Sequence, residues 1–339
     1  MIGDVLTSSI LFQAIKEEHP NAELHYLINT HTFSVVENNP FIDGFVFFTK
    51  EAKSSKKALF KLAKTIRREQ FDVVIDVYSK LSSNLITLCS GAKTKISYHK
   101  SYTAFLHHHN VKRKKRATTQ AGLAIENRLQ LLEPLGIYET ARKPKIFLTE
   151  KEIANSKYFL EKHQINLSEP LYMISVLGSG TNKTYPFEYM ATVIDTVVEE
   201  TKGQILFNYI PNQKEDAKDV YNLCKPKSQK HILFDVFGKN LREFLAITYH
   251  CKALIGNEGG ATNMAKALDV KTFAIFSPWI DTNTWGTFEN NHHVNVHLKD
   301  YQPELYADKA EKDIKPQALK LYKAFKPEFF MEKLKTFIN

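Results

Sequence analysis

The sequence predicts an α/β protein made of two doubly wound, parallel-sheet domains. Three observations predict it. Short β-rich runs alternate with amphipathic helical patterns, the signature of strand–helix–strand units. The alternation runs to about residue 150 and starts again near residue 165. The 339 residues also exceed what one hydrophobic core comfortably serves, so size alone argues for two domains.

In the first half, helical patterns at 5–18, 56–69 and 81–89 separate candidate strands at 23–28, 45–48, 73–77 and 95–98. In the second half, candidate strands at 171–177, 204–209, 231–234, 253–255 and 272–276 alternate with helical patterns at 186–201, 213–224 and 241–251. The join is expected near 143–163. Residues 317–337 read as one or two helices interrupted by Pro327. The expected domains are therefore 1–150 and 165–339.

Composition is that of an ordinary globular protein, 43% hydrophobic and 24% charged. No apolar run approaches the ~18 residues that span a bilayer. Met1-Ile2-Gly3-Asp4 lacks the basic start and apolar core of a secretion signal. Cys89, Cys224 and Cys251 are widely spaced and form no CxxC pair, so reduced thiols in a cytoplasmic protein are expected and no metal site is implied. The net charge of +9 is concentrated. Residues 77–125 contain no acid but carry Lys80, Lys93, Lys95, Lys100 and the run Lys112, Arg113, Lys114, Lys115, Arg116. Such a field attracts polyanions: acidic sugars, lipid phosphates or nucleic acid.

The densest local signal is Gly256-Asn257-Glu258-Gly259-Gly260-Ala261-Thr262-Asn263-Met264. An apolar run leads in and a helical pattern leads out. Adjacent glycines let a ligand approach the backbone, and the first N–H groups of a helix favour an anion. A plain strand-to-helix turn fits these residues equally well. A second polar turn, Gly178-Ser179-Gly180 followed by Thr181-Asn182-Lys183, precedes another helix, and Gly3-Asp4 precedes the first. Neither GxGxxG with a ribose-binding acid nor GxxxxGK[ST] occurs, which argues against nicotinamide, flavin and P-loop enzymes.

Taken in order, several segments resemble the heptosyltransferases of glycosyltransferase family nine. Gly3-Asp4-Val5-Leu6-Thr7 resembles the family's N-terminal Gly-Asp turn, and Asn38-Asn39-Pro40-Phe41-Ile42-Asp43 its "NPyID" segment. Pro134-Leu135-Gly136-Ile137 resembles the end of its first domain. Residues 178–189 resemble its phosphate loop and "WP" helix start, here Tyr185-Pro186. Residues 256–264 resemble its "GNDSGPMHL" loop, and Ser277-Pro278 with Trp285-Gly286 the loop after its last strand. The resemblance implies a GT-B fold, two Rossmann-like domains facing an interdomain cleft. It also implies an ADP-activated heptose donor, inversion at the anomeric carbon, no metal or other cofactor, and a lipopolysaccharide inner-core acceptor at the inner face of the membrane.

Residue roles carry over by position. Asp4 would be the base that takes the acceptor's proton; as a residue flanking a helical pattern it also suits an N-cap. Lys183 would neutralise the leaving diphosphate, with N–H groups of Ser179, Gly180, Thr181, Asn182, Gly259 and Gly260. Gly178, Glu258 and Asn263 complete the expected donor site. Glu215 is expected either at the donor ribose or as a solvated acid in a helix's first turn. Trp285 reads equally as a donor contact and a core aromatic. Lys112, Arg113, Lys115 and Arg116 would hold acidic sugars or lipid phosphates of an anionic glycolipid, or an anionic membrane surface, where a solvated loop is the plainer reading. His107-His108-His109 reads as no metal site, because adjacent side chains diverge.

Two departures from the family pattern carry expectations. No strand precedes the Gly-Asp turn in these residues, so a chain extended upstream by ~10 residues, about one strand, should be more stable and more active. Glu258, Gly259 and Asn263 stand where the family often has Asp, Ser or Thr, and His, so the donor pocket is expected to differ. Two alternatives follow: a transferase of the same fold with another nucleotide-sugar or acceptor, and a catalytically silent nucleotide- or polyanion-binding homologue.

Overall fold

A computed structural model of the chain describes residues 1–307 and 311–339. It divides into two compact units, Met1–Lys145 and Ile146–Asn339.

In the first unit all strand pairings are parallel. Strands β1 (His25–Asn29) and β2 (Gly44–Phe48) form one sheet, and β3 (Val73–Asp76), β4 (Thr94–Tyr98) and β5 (His109–Val111) form another. The opening helical pattern is two helices, Ile2–Ser8 and Ile10–Glu18. The helix Lys56–Arg68 begins at Ser55, whose hydroxyl accepts from the Ala58 N–H, as an N-cap should. Its inward residues Ala63 and Ile66 pack with Ile86 of the helix Leu81–Cys89. The short strand β5 and the helix Leu123–Leu129 carry little periodicity of their own and were not expected from the sequence.

The second unit holds one five-stranded parallel sheet in the order β10-β9-β8-β6-β7. Its strands are β6 (Leu171–Ser175), β7 (Gln204–Phe207), β8 (Ala253–Asn257), β9 (Lys271–Ile275) and β10 (His293–Val296). Strands β6, β8 and β10 are buried at every residue, as a sheet covered on both faces requires. The helix Phe187–Thr201 contributes Met190, Val193, Ile194, Val197 and Val198 to this core. The C-terminal helix Met331–Ile338 adds Leu334, Phe337 and Ile338.

Two expectations are corrected, and the join is filled in by a helix. Residues 231–234 are not a strand: Ile232 makes a single bridge to Ile205, through Ile205 N to His231 O and Leu233 N to Ile205 O, both 2.9 Å. Pairing stops there because the chain turns away after Leu233. The expected join contains the helix Glu150–Lys162, started by a capping box between Thr149 and Glu152. Asp4 is not an N-cap, since the helix begins two residues earlier and Asp4 lies within its first turn.

The order β7-β6-β8 makes β6 the switch point. The chain leaves β6 to one side for β7, then crosses to its other side for β8. In open α/β sheets the crevice beyond the carboxyl ends of such strands is where ligands bind.

Candidate active site

Both glycine turns singled out in the sequence lie at that switch point. Residues 178–183 follow β6, and Gly259-Gly260 follow β8. Asn257, fully buried at the end of β8, locks the two together. Its Nδ2 donates to Ser175 O at 2.9 Å and Val176 O at 3.0 Å, and its Oδ1 accepts from Tyr185 N at 2.7 Å.

The loop after β6 is clamped along its length. Thr184 Oγ1 accepts from Gly178 N and donates to Gly180 O. Gln213 Nε2 donates to Gly178 O at 2.8 Å. Ser277 Oγ and Trp279 Nε1 both donate to Asn182 O, at 2.6 and 3.0 Å. A Cβ at Gly178 would sit 2.1 Å from Lys183 O, so only glycine lets the loop close on itself. Ser179, Gly180 and Thr181 are exposed at its tip, and Asn182 and Lys183 are half-buried.

The turn after β8 behaves differently. A Cβ at Gly259 or Gly260 meets no atom within 4 Å. These glycines are not demanded by packing; their backbone fronts open space at the start of the helix Gly260–Ala267, which places N–H groups and the positive end of a helix dipole there. Asn263 lies half-buried one turn on.

Lys183 and Glu258 give the site its charge. Lys183 Nζ lies 5.3 Å from the centre of the Trp279 ring, and Lys315 Nζ lies 4.7 Å from the same ring. Two ammonium groups thus share one indole, whose N–H is already tied to the loop. Glu258 Oε2 is buried and accepts no hydrogen bond. Burial pushes the Glu258 carboxyl above the usual carboxylate range, against the pull of Lys183 and Lys266. Lys266 is itself buried and donates to Thr287 O at 2.6 Å. An unsatisfied buried carboxyl oxygen beside two ammonium groups is suited to a ligand hydroxyl.

Glu215 is exposed in the first turn of the helix Lys214–Leu223. Trp285 and Trp279, both half-buried, pack against the cluster Ala274, Phe276 and Ile280. The tryptophan beside Lys183 is Trp279, which the sequence reading passed over.

In the first unit, Asp4 is gripped by a residue that was not anticipated. Arg128 Nη2 donates to Asp4 Oδ1 at 3.0 Å and Arg128 Nε to Ser8 Oγ at 2.9 Å, so one guanidinium reads two positions a helical turn apart. Asp4 Oδ2 lies 3.4 Å from the Met1 amino group, and the Asp4 side chain is about one-third exposed.

The basic run is partly committed. Arg113 stacks on the buried Tyr98 ring at 3.9 Å, and Lys114 Nζ lies 3.3 Å from Glu126 Oε2. Lys112, Arg113, Lys115 and Arg116 are exposed. Glu126 also takes the N–H and hydroxyl groups of both Thr118 and Thr119. Burial pushes its carboxyl up, but these bonds outweigh it and hold the pKa at about 2. The three histidines diverge: His107 is buried against Thr103 O, His108 Nδ1 accepts from Lys95 N, and His109 is exposed in β5.

The family model described as "Glycosyltransferase family 9 (heptosyltransferase)" matches residues 59–315. The chain is 26% identical over 298 residues to lipopolysaccharide heptosyltransferase 3 of Escherichia coli, covering 85% of this chain and 84% of the relative. It is 21% identical over 279 residues to a putative glycosyltransferase of Haemophilus influenzae, covering 81% and 79%. Among solved structures, a glycosyl transferase family 9 protein from Veillonella parvula superposes with a TM-score of 0.79 at 18% identity, covering 100% of this chain and 94% of that one. The E. coli heptosyltransferase WaaC with ADP superposes at 0.66 with 12% identity, covering 98% and 97%. The fold is accordingly of the GT-B class. The match across three-quarters of the sequence, with this fold and these loops, makes the chain a glycosyltransferase belonging to family 9, the heptosyltransferase family.

Proposed function

We propose that this glycosyltransferase moves a heptose from an ADP-activated donor to a lipopolysaccharide inner-core acceptor, with inversion and without a required metal. The supporting observation is the pair of loops flanking the switch strand: one clamped and carrying Lys183, the other fronting open space with its backbone N–H groups. That pairing suits a diphosphate. The names of the relatives, a lipopolysaccharide heptosyltransferase and a heptosyltransferase with ADP, supply the donor and acceptor class.

In this reading Asp4 takes the proton of the acceptor hydroxyl through Oδ2, since Oδ1 is engaged by Arg128. The freed oxygen bonds to the anomeric carbon as the bond from that carbon to the diphosphate oxygen breaks. Lys183 and the N–H groups of Gly259 and Gly260 stabilise the negative charge on the departing diphosphate. Gly178, Ser179, Gly180, Thr181 and Asn182 shape the diphosphate side of the pocket. Glu258 and Asn263 meet the sugar, and Glu215 the ribose. Lys112, Arg113, Lys115 and Arg116 hold the acidic groups of the acceptor.

The test is turnover with a panel of ADP-, UDP- and GDP-activated sugars on a deep-rough lipopolysaccharide acceptor, with and without EDTA. Transfer from ADP-heptose that EDTA leaves intact supports the reading. Preference for another donor makes the chain a family 9 transferase of different specificity, which the Glu258, Gly259 and Asn263 substitutions in the family pattern favour. ADP binding without transfer from any donor makes it a silent homologue.

A further inference from the structure

The positive charge beside the loop after β6 does not end with Lys183. Lys315 Nζ lies 4.7 Å from the centre of the Trp279 ring, and Lys183 Nζ lies 5.3 Å from the same point. The two nitrogens are therefore at most about 10 Å apart, roughly one Debye length at about 0.1 M salt. The ring they share is fixed. Its Nε1 donates to Asn182 O at 3.0 Å, and it packs against Ala274, Phe276 and Ile280. The backbone that carries Lys315 is fixed as well. Ile314 before it and Ala318 after it are buried, Pro316 restricts the turn, and Gln317 Nε2 donates to Asp313 O at 2.9 Å. The helix Ala318–Ala324 that follows packs against the turn Thr181–Lys183.

Neighbouring acids do not cancel this charge. Among the described residues neither ammonium group has a carboxylate within ion-pair distance. Glu258, whose carboxyl acts on Lys183, is pushed towards its neutral form by burial. An indole attracts one cation weakly at an exposed site, and two like charges on one indole oppose each other. The pair is relieved when an anion joins it. The strand order places that anion. Glu215 follows β7, the clamped loop follows β6, Gly259-Gly260 follow β8 and Trp279 follows β9, and these strands are neighbours in the order β7-β6-β8-β9. A nucleoside-diphosphate sugar with its ribose at Glu215 and its diphosphate at the two glycine turns has its outer phosphate, the one bonded to the sugar, on the β9 side. Neighbouring strands lie about 5 Å apart, a step that a lysine side chain covers.

We propose that Lys315 is a second donor-binding cation: Lys183 from the clamped loop and Lys315 from the C-terminal turn hold the outer phosphate together. Trp279 is the rigid wall that sets where both ammonium groups stand. An ammonium group is a compact charge with three donors, and charge-assisted bonds to phosphate oxygens are its strongest. A nucleoside monophosphate lacks the outer phosphate, so Lys315 selects diphosphate nucleotides over monophosphates. Lys315 holds this phosphate in the substrate complex and the transition state alike, so it acts on donor affinity more than on the chemical step.

The proposal rests on the donor site described above, and its test separates the two. The full chain is titrated calorimetrically with ADP, AMP and inorganic pyrophosphate. The parent should bind ADP more tightly than AMP. Lys315→Ala should weaken ADP and pyrophosphate about tenfold and leave AMP within about twofold, with the unliganded melting temperature unchanged. Lys315→Arg should keep most of the ADP affinity. Lys320→Ala removes the same charge from an exposed position on the next helix and should change neither nucleotide. In turnover, Lys315→Ala should raise donor KM about tenfold with kcat within about threefold of the parent, and the arginine variant should restore KM. Equal ADP affinity in parent and Lys315→Ala overturns the proposal. So does an equal loss of ADP and AMP, the same loss in Lys320→Ala, or a parent that binds neither ADP nor pyrophosphate. ADP and pyrophosphate binding that needs Lys315, in a protein that transfers no heptose, keeps this role and rejects the transfer reading. Heptose transfer at unchanged donor KM in Lys315→Ala does the reverse.

Discussion

Arg128 holds Asp4. Its Nη2 donates to Asp4 Oδ1 at 3.0 Å across 124 residues of sequence, while its Nη1 is fixed on Ala124 O at 2.6 Å. The opening helix is thereby docked on the helix Leu123–Leu129, and the carboxylate is oriented by an arginine that is itself only 11% exposed. If Asp4 is the base, Asp4→Asn should lower kcat by about 10²–10⁴ with little change in donor KM. Arg128→Lys should keep the charge but lose the two-point grip, and lower kcat less than Asp4→Asn does. ADP release in a coupled assay reads both. Unchanged kcat in Asp4→Asn rules out the catalytic assignment.

Two glycine turns that look alike in sequence should respond oppositely to alanine. Gly178→Ala forces a methyl to 2.1 Å from Lys183 O and should destabilise the fold by roughly 1–3 kcal/mol. Gly259→Ala and Gly260→Ala meet nothing within 4 Å and should leave the melting temperature nearly unchanged while weakening ADP binding. Thermal melts and calorimetric titration with ADP separate the cases. A stable Gly178→Ala protein contradicts the packing account.

Lys183 and Lys315 share the Trp279 ring but not the same anchoring. Lys183 belongs to the clamped loop, whereas Lys315 is exposed on the short turn Lys315–Gln317. Lys183→Ala should lower kcat by about 10²–10³ if it stabilises the leaving diphosphate. Lys315→Ala should act mainly on donor KM. Steady-state kinetics at varied donor concentration distinguish them.

Two buried carboxyls should give opposite pH signatures. Glu126 has its pKa held at about 2, below its ordinary 4.5, so it contributes stability that is full above 4.5 and is lost as pH falls towards 2. With its side chain fully buried, that shift corresponds to about 3 kcal/mol at neutral pH. Glu126→Gln should therefore destabilise at pH 7 and matter little near pH 2. Glu258 has its pKa raised, so its folded form binds the proton more tightly than the unfolded chain does. Stability contributed by the neutral form is present below 4.5 and fades as pH rises through the raised value. Glu258→Gln should gain on the parent over that rise. Denaturation curves across pH 2–8 test both signs.

Much of the fold was legible because it is written in local patterns. Hydrophobic periodicity placed seven of the eight strand and helix tracts expected between residues 171 and 276 to within a few residues, and the helix Leu81–Cys89 at its observed bounds. Its limit is visible at 231–234, where an apolar run has strand character but only one bridge to pair with. The site was legible only in part. Glycines announce a turn; they do not say whether packing or open space requires them, and Gly178 and Gly259 differ on that point alone. Trp285 and Trp279 lie six residues apart and pack against the same apolar cluster, and only the fold decides which of them also lies beside Lys183.

What the sequence determined by itself is the succession of strands, turns and helices, the concentration of positive charge in residues 77–125, and the family to which the chain belongs. Each of these is carried by neighbours along the chain or by motif order. The tertiary structure alone decided that Arg128 grips Asp4, that Trp279 is tied to Asn182 across 97 residues, and that Glu126 gathers the basic loop. Those contacts join side chains whose separation is set by strand order and packing, and a local pattern holds no record of which distant residue will arrive beside it.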